Sequence, residues 1–299
     1  MTSFSGKFGS NSAYTYEQLF PLLRSTLEAG VAVFLQGSPG IGKSTLGKEL
    51  ALSMKKTLID IRLAQKDPAE IGGVYFPNRE TGLLDLFPPA WVKLACEKPC
   101  LIFLDEFNAA ITKLHQAAAY QIVLEKRIGE FQFHKDTVIL AAGNREDDNA
   151  IVTPLSSALN NRFAHYEMRV DTKVWLKWAV KNNIQENIMA FIQAYGDEVL
   201  FAATNSNSFA TPRSWEMASK IIHKVEQEDM KKAMAACIGP VMADRFQKFL
   251  TIYRKIDAAK IIAGKEKIDF LKKTEPSFVY AAIFAVAAYL SNNKIPAKQ

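Results

Sequence analysis

Residues 37–44 read GSPGIGKS, and every fixed position matches the phosphate-binding pattern G-x-x-x-x-G-K-[ST]. The apolar run 31–35 before it predicts a buried strand, and residues 44–54 after it have helical character, so backbone amides and a helix N-terminus converge on the same point. Glycines allow close approach of the backbone to phosphate oxygens, Lys43 supplies positive charge, and the Ser44 hydroxyl is placed to bind magnesium. We therefore predict a nucleotide-binding loop; the alternative is a glycine-rich turn with an unrelated lysine.

A second segment ends in two adjacent acids. The apolar run 101–104 is typical of a buried parallel strand, and Asp105 and Glu106 follow it directly. We predict that Asp105 holds magnesium through its water shell and that Glu106 polarises the water that attacks the γ-phosphate. The alternative is an ordinary strand-end turn, but the position downstream of a phosphate-binding loop favours the catalytic interpretation.

A third strand, predicted over 137–142, leads to Gly143 and Asn144. Ligands of open α/β folds gather at the edge where such strands end, so the Asn144 amide is a candidate for orienting the attacking water. Gly-Asn is also common in turns, and the pair by itself does not decide between the two interpretations.

Length and composition limit the class of protein. With 299 residues, 48% of them hydrophobic, the chain can bury a substantial core and form two domains. The polar N-terminus has no signal-peptide pattern, and the longest apolar run, 278–290, is shorter than the roughly 20 residues that span a bilayer. Three cysteines do not suggest a disulfide framework, and the scattered histidines indicate no metal other than magnesium, so we expect a cytoplasmic protein.

The net charge of +6 comes from the part of the chain after residue 170. Its basic residues are mostly lysines, dispersed singly or in pairs along amphipathic segments. Such a distribution is more typical of solvated helix faces than of a nucleic-acid groove, so nucleic acid remains the weaker of the partner hypotheses.

The organisation of the chain changes near residue 170. Strand-like runs alternate with helical segments before this point, which predicts a parallel sheet covered on both faces, and the pattern after it is helical. We predict an α/β fold with a five-stranded parallel sheet, divided into a flexible arm (1–14), a nucleotide-binding domain (15–170) and an all-helical domain (171–299). The predicted strands are 31–35, 57–61, 101–104, 137–142 and 165–170.

One arginine in the helical part lies where a helix disfavours positive charge. Thr211 and Pro212 have the pattern of an N-cap followed by proline at the first helical position, which puts Arg213 in the first turn. If the helical domain folds over the loop, Arg213 can reach the γ-phosphate; the alternative is that the side chain extends into solvent.

These motifs together resemble those of AAA+ ATPases, and more narrowly those of the MoxR branch. GSPGIGKS, LIFLDE, AAGN, NNRF and TPRS resemble Walker A, Walker B, sensor 1, the arginine-finger segment and sensor 2, in the family's order and approximate spacing. Residues 67–91 resemble the branch's insertion in the second helix, and 116–133 resemble its helix and hairpin before sensor 1. The resemblance covers roughly residues 15–225.

The resemblance implies a homo-oligomeric ring, usually hexameric, with ATP and Mg²⁺ bound between subunits. Glu106 and Asn144 would act in the nucleotide's own subunit, Arg162 in its neighbour and Arg213 in the helical lid. The implied binding residues are Gly37, Ser38, Pro39, Gly40, Ile41, Gly42, Lys43, Ser44, Thr45 and Asp105, with Ser44 and Asp105 as magnesium ligands, Asp105 through water.

Two departures concern the arginine finger. The acidic residue that usually precedes it is Asn161 here, and Arg145, directly after sensor 1, is a competing candidate for an interfacial arginine. The last 70 or so residues match only as generic helices.

The predicted function is an ATP-driven protein remodeler that acts, as MoxR-type proteins commonly do, beside a partner with a von Willebrand A domain. The insertion 67–91 is rich in apolar residues for a loop and, with the hairpin 126–132, would pass the motion to the bound protein; the alternative is that its apolar residues pack within the ring. Two other classes remain open: a DNA-directed AAA+ motor or loader, and a nucleotide-gated scaffold without significant turnover, against which the intact Glu106 argues.

Overall fold

The computed structural model describes residues 13–109, 112–145, 153, 155–204, 206–265 and 276–292. The chain divides into two compact units, one ending at Arg169 and the other beginning at Val170. The first unit is α/β and the second is helical.

Six strands of the first unit form one sheet, and all of its pairings are parallel. In the described part of the chain, the strands are β1 (Ala13–Tyr14), β2 (Val33–Gln36), β3 (Thr57–Arg62), β4 (Val74–Pro77), β5 (Leu84–Phe87), β6 (Cys100–Asp105), β7 (Arg127–Ile128), β8 (Phe131–Gln132), β9 (Val138–Gly143) and β10 (Ala164–Met168). The sheet order is β1-β10-β2-β9-β6-β3, and the other strands form two separate hairpins, β4-β5 and β7-β8.

The predicted α/β fold with a parallel sheet is confirmed, but the sheet has six strands rather than five. The additional strand is β1, which falls within the segment predicted to be a flexible arm and pairs with β10, opposite Glu167 and Met168. Two residues are too few for an alternating pattern, so only the long-range pairing reveals this strand. The rest of the predicted arm, 1–12, lies outside the described residues.

The three strands that carry the predicted site are adjacent and buried. β2, β9 and β6 lie side by side in the sheet, and nearly every residue of each is buried. Their continuous apolar sequences reflect a parallel sheet covered on both faces. Because the strands are parallel, their carboxyl ends meet at one edge of the sheet.

Among its described residues, the first unit has six α-helices. The first has the capping box in which Thr15 accepts from the backbone of Gln18, and it buries Leu19, Leu23 and Leu27 at intervals of four residues. The helices are α1 (Tyr16–Glu28), α2 (Lys43–Ser53), α3 (Pro68–Gly72), α4 (Ala90–Glu97), α5 (Lys113–Tyr120) and α6 (Ser157–Asn160), with a short 3₁₀ turn at Leu63–Gln65 and a π-helical segment at Gln121–Glu125 after α5.

The second unit packs its helices around an aromatic core. Trp215 is fully buried, donates from Nε1 to the carbonyl of Val199 at 2.8 Å and lies against Phe191 and Phe246. Its helices are α7 (Thr172–Lys181), α8 (Glu186–Tyr195), α9 (Asp197–Leu200), α10 (Pro212–Ile221), α11 (Met230–Ile238), α12 (Pro240–Tyr253), α13 (Ala258–Ile262) and α14 (Pro276–Asn292). In the described part of the chain, no helix has the length and hydropathy that crossing a membrane requires.

Candidate nucleotide site

The loop between β2 and α2 requires glycine at two points for different reasons. Gly42, the residue before α2, has φ of 105°, a left-handed conformation that side chains disfavour. At Gly37 an added Cβ would lie 2.9 Å from the carbonyl oxygen of Met168 and 2.7 Å from Cδ1 of Ile41. Of the predicted binding residues, 37–42 form the loop and 43–45 lie in the first turn of α2.

Lys43 is buried at the base of this loop. Its side chain is held by three oxygens: Nζ donates to the carbonyl of Gly37 at 2.5 Å, to the carbonyl of Ser38 at 3.0 Å and to Oδ1 of Asn144 at 3.1 Å. The residue is 8% exposed. A buried ammonium needs such acceptors, and the contacts bring two motifs that are 101 residues apart together at one point.

The predicted magnesium ligands lie directly beside each other. Ser44 Oγ donates to Oδ2 of Asp105 at 2.9 Å, which joins the first turn of α2 to the end of β6. Hydroxyl and carboxylate oxygens are the donors that Mg²⁺ takes in proteins, so the residues fit this ion in chemistry. Among the described residues, no group of three or more His, Cys, Asp or Glu is arranged to hold a metal ion.

Asp60 on β3 adds a second carboxyl group near Asp105, and the sequence analysis did not select it. Partial desolvation and then the negative charge of Asp105 raise the pKa of Asp60, while Arg62 and Lys48 act in the opposite direction. Asp60 therefore lies close enough to Asp105 for the charge of one carboxylate to affect the other.

Glu106 has an unusual backbone conformation, with φ of 55°. A left-handed glutamate is uncommon, and it persists here because the next residue is fixed: the Phe107 amide donates to the carbonyl of Ala142 at 2.8 Å, and the Phe107 ring is fully buried against Phe34 and Phe163. The Glu106 carboxylate is half-buried and has no hydrogen bond or ion pair among the described residues. It is thus held at the strand end with its oxygens available to a ligand or water.

Asn108, which the sequence analysis missed, fixes the position of Asn144. Asn108 Nδ2 donates to the Asn144 carbonyl at 2.8 Å, and the Asn144 amide donates back to Asn108 Oδ1 at 3.1 Å. Asn108 is 4% exposed, and a Cβ on Gly143 would lie 2.3 Å from its Oδ1. The sequence offered one indication of this role: Asn108 is a polar residue only two positions after the Asp105-Glu106 pair.

Arg145 binds within its own chain. Its Nη1 forms an ion pair with Oε1 of Glu167 on β10 at 2.9 Å, and its Nη2 donates a short hydrogen bond to Oγ of Ser38 in the loop. The structure therefore brings Arg145 to the loop.

The other two predicted arginines are exposed. Arg162 follows α6, and Arg213 is the second residue of α10, behind the predicted cap in which Thr211 Oγ1 accepts from the Ser214 amide at 3.0 Å. Neither guanidinium has a hydrogen bond or ion pair to any residue that the structure describes. Arg162 belongs to the first unit and Arg213 to the second.

The segment 67–91, predicted to be an insertion, contains α3 and the β4-β5 hairpin, and this hairpin has an apolar surface. All four residues of β4 are exposed, and on β5 only Leu86 is buried. The large apolar residues on this hairpin surface, with their exposed fractions, are Val74 (43%), Tyr75 (61%), Phe76 (53%), Leu83 (68%), Leu84 (65%) and Phe87 (56%).

The second hairpin, β7-β8, contacts the first through its turn. Gly129 in this turn lies against Leu86: a Cβ there would be 2.4 Å from Leu86 Cδ2. The amide of Gly129 donates to Oε1 of Gln121, the first residue of the π-helical segment, at 3.1 Å. π-Helical turns often mark functional sites. This one ends at Glu125, two residues before the hairpin begins.

Residues 33–169, which make up most of the first unit, match the family described as "ATPase family associated with various cellular activities (AAA)". This match implies nucleotide binding and, in general, ATPase activity. No curated protein matches the chain.

Several solved structures match this chain at low sequence identity. A presumed ATPase from Cytophaga hutchinsonii ATCC 33406 is 16% identical, with 76% of this chain and 82% of that chain covered and a TM-score of 0.40. The RuvB Holliday junction branch migration motor of Thermotoga maritima is 15% identical, with 89% and 86% covered and a TM-score of 0.44. NtrX from Brucella abortus is 12% identical, with 92% and 68% covered and a TM-score of 0.46.

Proposed function

We propose that this chain is a MoxR-type AAA+ ATPase that hydrolyses ATP to ADP and phosphate at the subunit interfaces of a homo-oligomeric ring and remodels a partner protein. The resemblance suggests that this ring is a hexamer.

 The observation that carries the proposal is the single cluster at the sheet edge in which Lys43, Ser44, Asp105, Glu106 and Asn144 converge from three adjacent strand ends. These are the residue types that phosphoryl transfer requires: a cation for the phosphates, oxygen ligands for Mg²⁺, and a carboxylate for water.

The chain's own residues account for binding and for water activation. Lys43 exchanges its present oxygen partners for the β- and γ-phosphate oxygens, and the loop amides bind the same phosphates. Glu106 accepts a hydrogen bond from the attacking water, and Asn144, held by Asn108, orients that water or the γ-phosphate. Ser44 would hold Mg²⁺ directly and Asp105 would hold it through water, and the bound ion would supply positive charge to the phosphate oxygens.

We assign the trans-acting arginine to Arg162. Hydrolysis spreads negative charge over the γ-phosphate oxygens, and an arginine from a neighbouring subunit stabilises that charge. Arg145 already binds Ser38 and Glu167 of its own chain, whereas Arg162 is exposed and has no partner among the described residues. We further propose that the helical unit acts as a lid and that Arg213 contributes from its α10 N-terminus.

The output surface in this proposal is the β4-β5 hairpin together with β7-β8. Their contact at Leu86 and Gly129 lets the two hairpins move together, and the exposed apolar residues of β4-β5 offer a surface to a protein. A partner with a von Willebrand A domain is the type that the MoxR resemblance suggests.

The ion pairs of the second unit favour a protein substrate over nucleic acid. Lys220, Lys231, Lys232, Arg245 and Lys260 each pair with an acidic residue, so these positive charges are locally balanced. A nucleic-acid groove would instead leave basic side chains free to neutralise phosphates. Retention on DNA that falls steeply with added salt would support the motor or loader alternative.

Turnover by the purified protein tests the proposal. We expect phosphate release that requires Mg²⁺ and stops on addition of a chelator. Glu106→Gln keeps the side-chain shape but removes the carboxylate, so ATP binding should persist while kcat falls by about 10² to 10⁴. Glu97→Gln, an exposed position at the end of α4, is the matched control and should behave as wild type.

Two outcomes would contradict this assignment. Wild-type turnover in Glu106→Gln would place water activation on another group. Tight ATP binding by the wild type without phosphate release, at any protein concentration, would favour the nucleotide-gated scaffold.

A further inference from the structure

The end of β9 contacts the phosphate-binding loop at successive points. The carbonyl of Gly143 accepts from the amide of Gly37 at 3.2 Å, and the next residue, Asn144, accepts from Lys43 Nζ at 3.1 Å. These two contacts hold the first residue of the loop and the lysine at its end. The third consecutive residue of the strand end, Arg145, completes the series.

Arg145 extends across the end of β2. In the sheet, Glu167 of β10 is paired with Gln36 of β2, and Gln36 is paired with Gly143 of β9. Arg145 lies two residues beyond Gly143 and pairs with Glu167, so its side chain crosses from β9 to β10 at the point where β2 becomes the loop. On the way it donates to the hydroxyl of Ser38, the second residue of that loop.

The three side chains of this bridge are well suited to fixing a backbone. Ser38 is 2% exposed, and the side chains of Arg145 and Glu167 are 37% and 21% exposed. A guanidinium presents its donors in a rigid planar fork, so one arginine can bind two acceptors in fixed directions. The carbonyl of the same Ser38 accepts from Lys43 at 3.0 Å, which connects the bridge to the phosphate-binding lysine.

We propose that Arg145 is a positioning residue that preorganises the phosphate-binding loop within its own subunit by bridging Ser38 to Glu167. The inference rests on the proposed nucleotide site and assigns to Arg145 a role in cis. The bridge fixes the first half of the loop before nucleotide arrives, so the loop amides lose less conformational freedom on binding. It does not touch the reacting atoms, and its effect falls on nucleotide affinity rather than on the chemical step.

The experiment measures the Kd for ADP and for a non-hydrolysable ATP analogue together with KM and kcat for ATP. Arg145→Ala and Ser38→Ala should each raise Kd and KM by about 10-fold to 100-fold and leave kcat at saturating ATP within about twofold. Arg145→Lys, which lacks the fork, should fall between wild type and Arg145→Ala. Arg24→Ala removes an arginine that pairs with Glu28 on the exposed face of α1, and this matched control should leave Kd unchanged.

A double variant distinguishes action through Ser38 from an independent effect. If Arg145 acts by holding Ser38, the Kd of Ser38→Ala with Arg145→Ala should be no higher than that of the weaker-binding single variant. Multiplication of the two single effects would overturn the inference. A large loss of kcat in Arg145→Ala at unchanged Kd would also overturn it, because that result is the signature of a group that acts in the transition state.

Amide hydrogen exchange of the nucleotide-free protein separates this inference from the proposed function. Arg145→Ala should increase exchange at residues 37–42 relative to wild type and to Arg24→Ala, whether or not nucleotide binds. Unchanged exchange there would exclude the bridge as a constraint on the loop. A wild-type protein that fails to bind ATP or ADP would instead refute the proposed function while leaving the exchange result to decide on the bridge.

Discussion

The nucleotide site and the β4-β5 hairpin belong to the same unit, but they differ in how far the chain satisfies its own side chains. At the site, Lys43, Ser44, Asn144 and Arg145 each have a partner from another part of the chain. On the hairpin, apolar side chains remain largely exposed, and Leu86 alone is buried among the residues of its two strands. The site is therefore organised before any ligand arrives, whereas the hairpin and the exposed Arg162 have surfaces that a second molecule would complete.

The largest effect is expected where the proposed site depends on another chain. Arg162→Ala should lower ATP turnover by about 10³ to 10⁵ while leaving ATP binding intact, because the lost charge acts on the transition state from the neighbouring subunit. Activity per subunit of the wild type should also rise with protein concentration. Steady-state phosphate release across a concentration series measures both.

Mixing experiments test whether the arginine acts in trans. A mixture of wild type and Arg162→Ala should be less active than the weighted mean of the two proteins, because one variant subunit also impairs its neighbour. A mixture of wild type and Arg145→Ala at saturating ATP should have the weighted mean activity. The reverse pattern would transfer the trans role to Arg145 and would show that the site depends on a neighbouring subunit at Arg145 instead of at Arg162.

A smaller effect is expected where the chain satisfies the site itself. Lys43→Ala removes the fixed cation for the β- and γ-phosphates and should weaken ATP binding by about 100-fold or more. Lys93→Ala, which changes an exposed lysine on α4, is the matched control. Calorimetric titration with ATP and Mg²⁺ measures the difference; equal affinities for the two variants would contradict the assignment of Lys43.

The smallest effect compares two leucines on one strand of the hairpin. Leu84 is 65% exposed and Leu86 is 6% exposed. Leu84→Ser should change the free energy of unfolding by no more than about 0.5 kcal/mol, whereas Leu86→Ser should cost about 2 kcal/mol or more, because it removes a buried side chain. Denaturant unfolding of both variants measures this contrast.

One result would contradict the prediction that the exposed hairpin surface binds a partner protein. A marked loss of stability in Leu84→Ser, present only at concentrations where the protein oligomerises, would show that the hairpin packs inside the assembly. The surface would then serve assembly rather than a separate partner protein.

Local sequence was sufficient to predict the main strands and the loop, but it was insufficient to predict the side-chain contacts between them. The apolar runs predicted β2, β6 and β9 to within a few residues because buried parallel strands have continuous apolar sequences. The motif predicted that Lys43 and Ser44 lie at the start of α2, because the strand, the loop and the helix follow one another in the chain. Strand β1 was missed because two residues are too few to show the alternation of apolar and polar residues that indicates a strand.

The contacts that were missed join residues far apart in sequence. Asn108 and Asn144 are 36 positions apart, and Ser38 and Arg145 are 107 apart. Only the sheet order, which brings β6, β9 and β10 around the loop, places these side chains together. No spacing rule in a single sequence encodes that order, so Arg145 was open to an intersubunit interpretation until the fold was known.

The left-handed backbone at Glu106 has a consequence for the stability of the protein. At φ of 55°, a glutamate costs the folded chain about 1 kcal/mol relative to glycine, which adopts this conformation freely. A sequence optimised for folding alone would therefore place glycine at position 106 and gain stability while losing the carboxylate. If Glu106 has the proposed catalytic role, the residue that serves catalysis at this position is not the residue that gives the most stable fold. Thermostabilising substitutions in this protein should therefore be sought away from the end of β6.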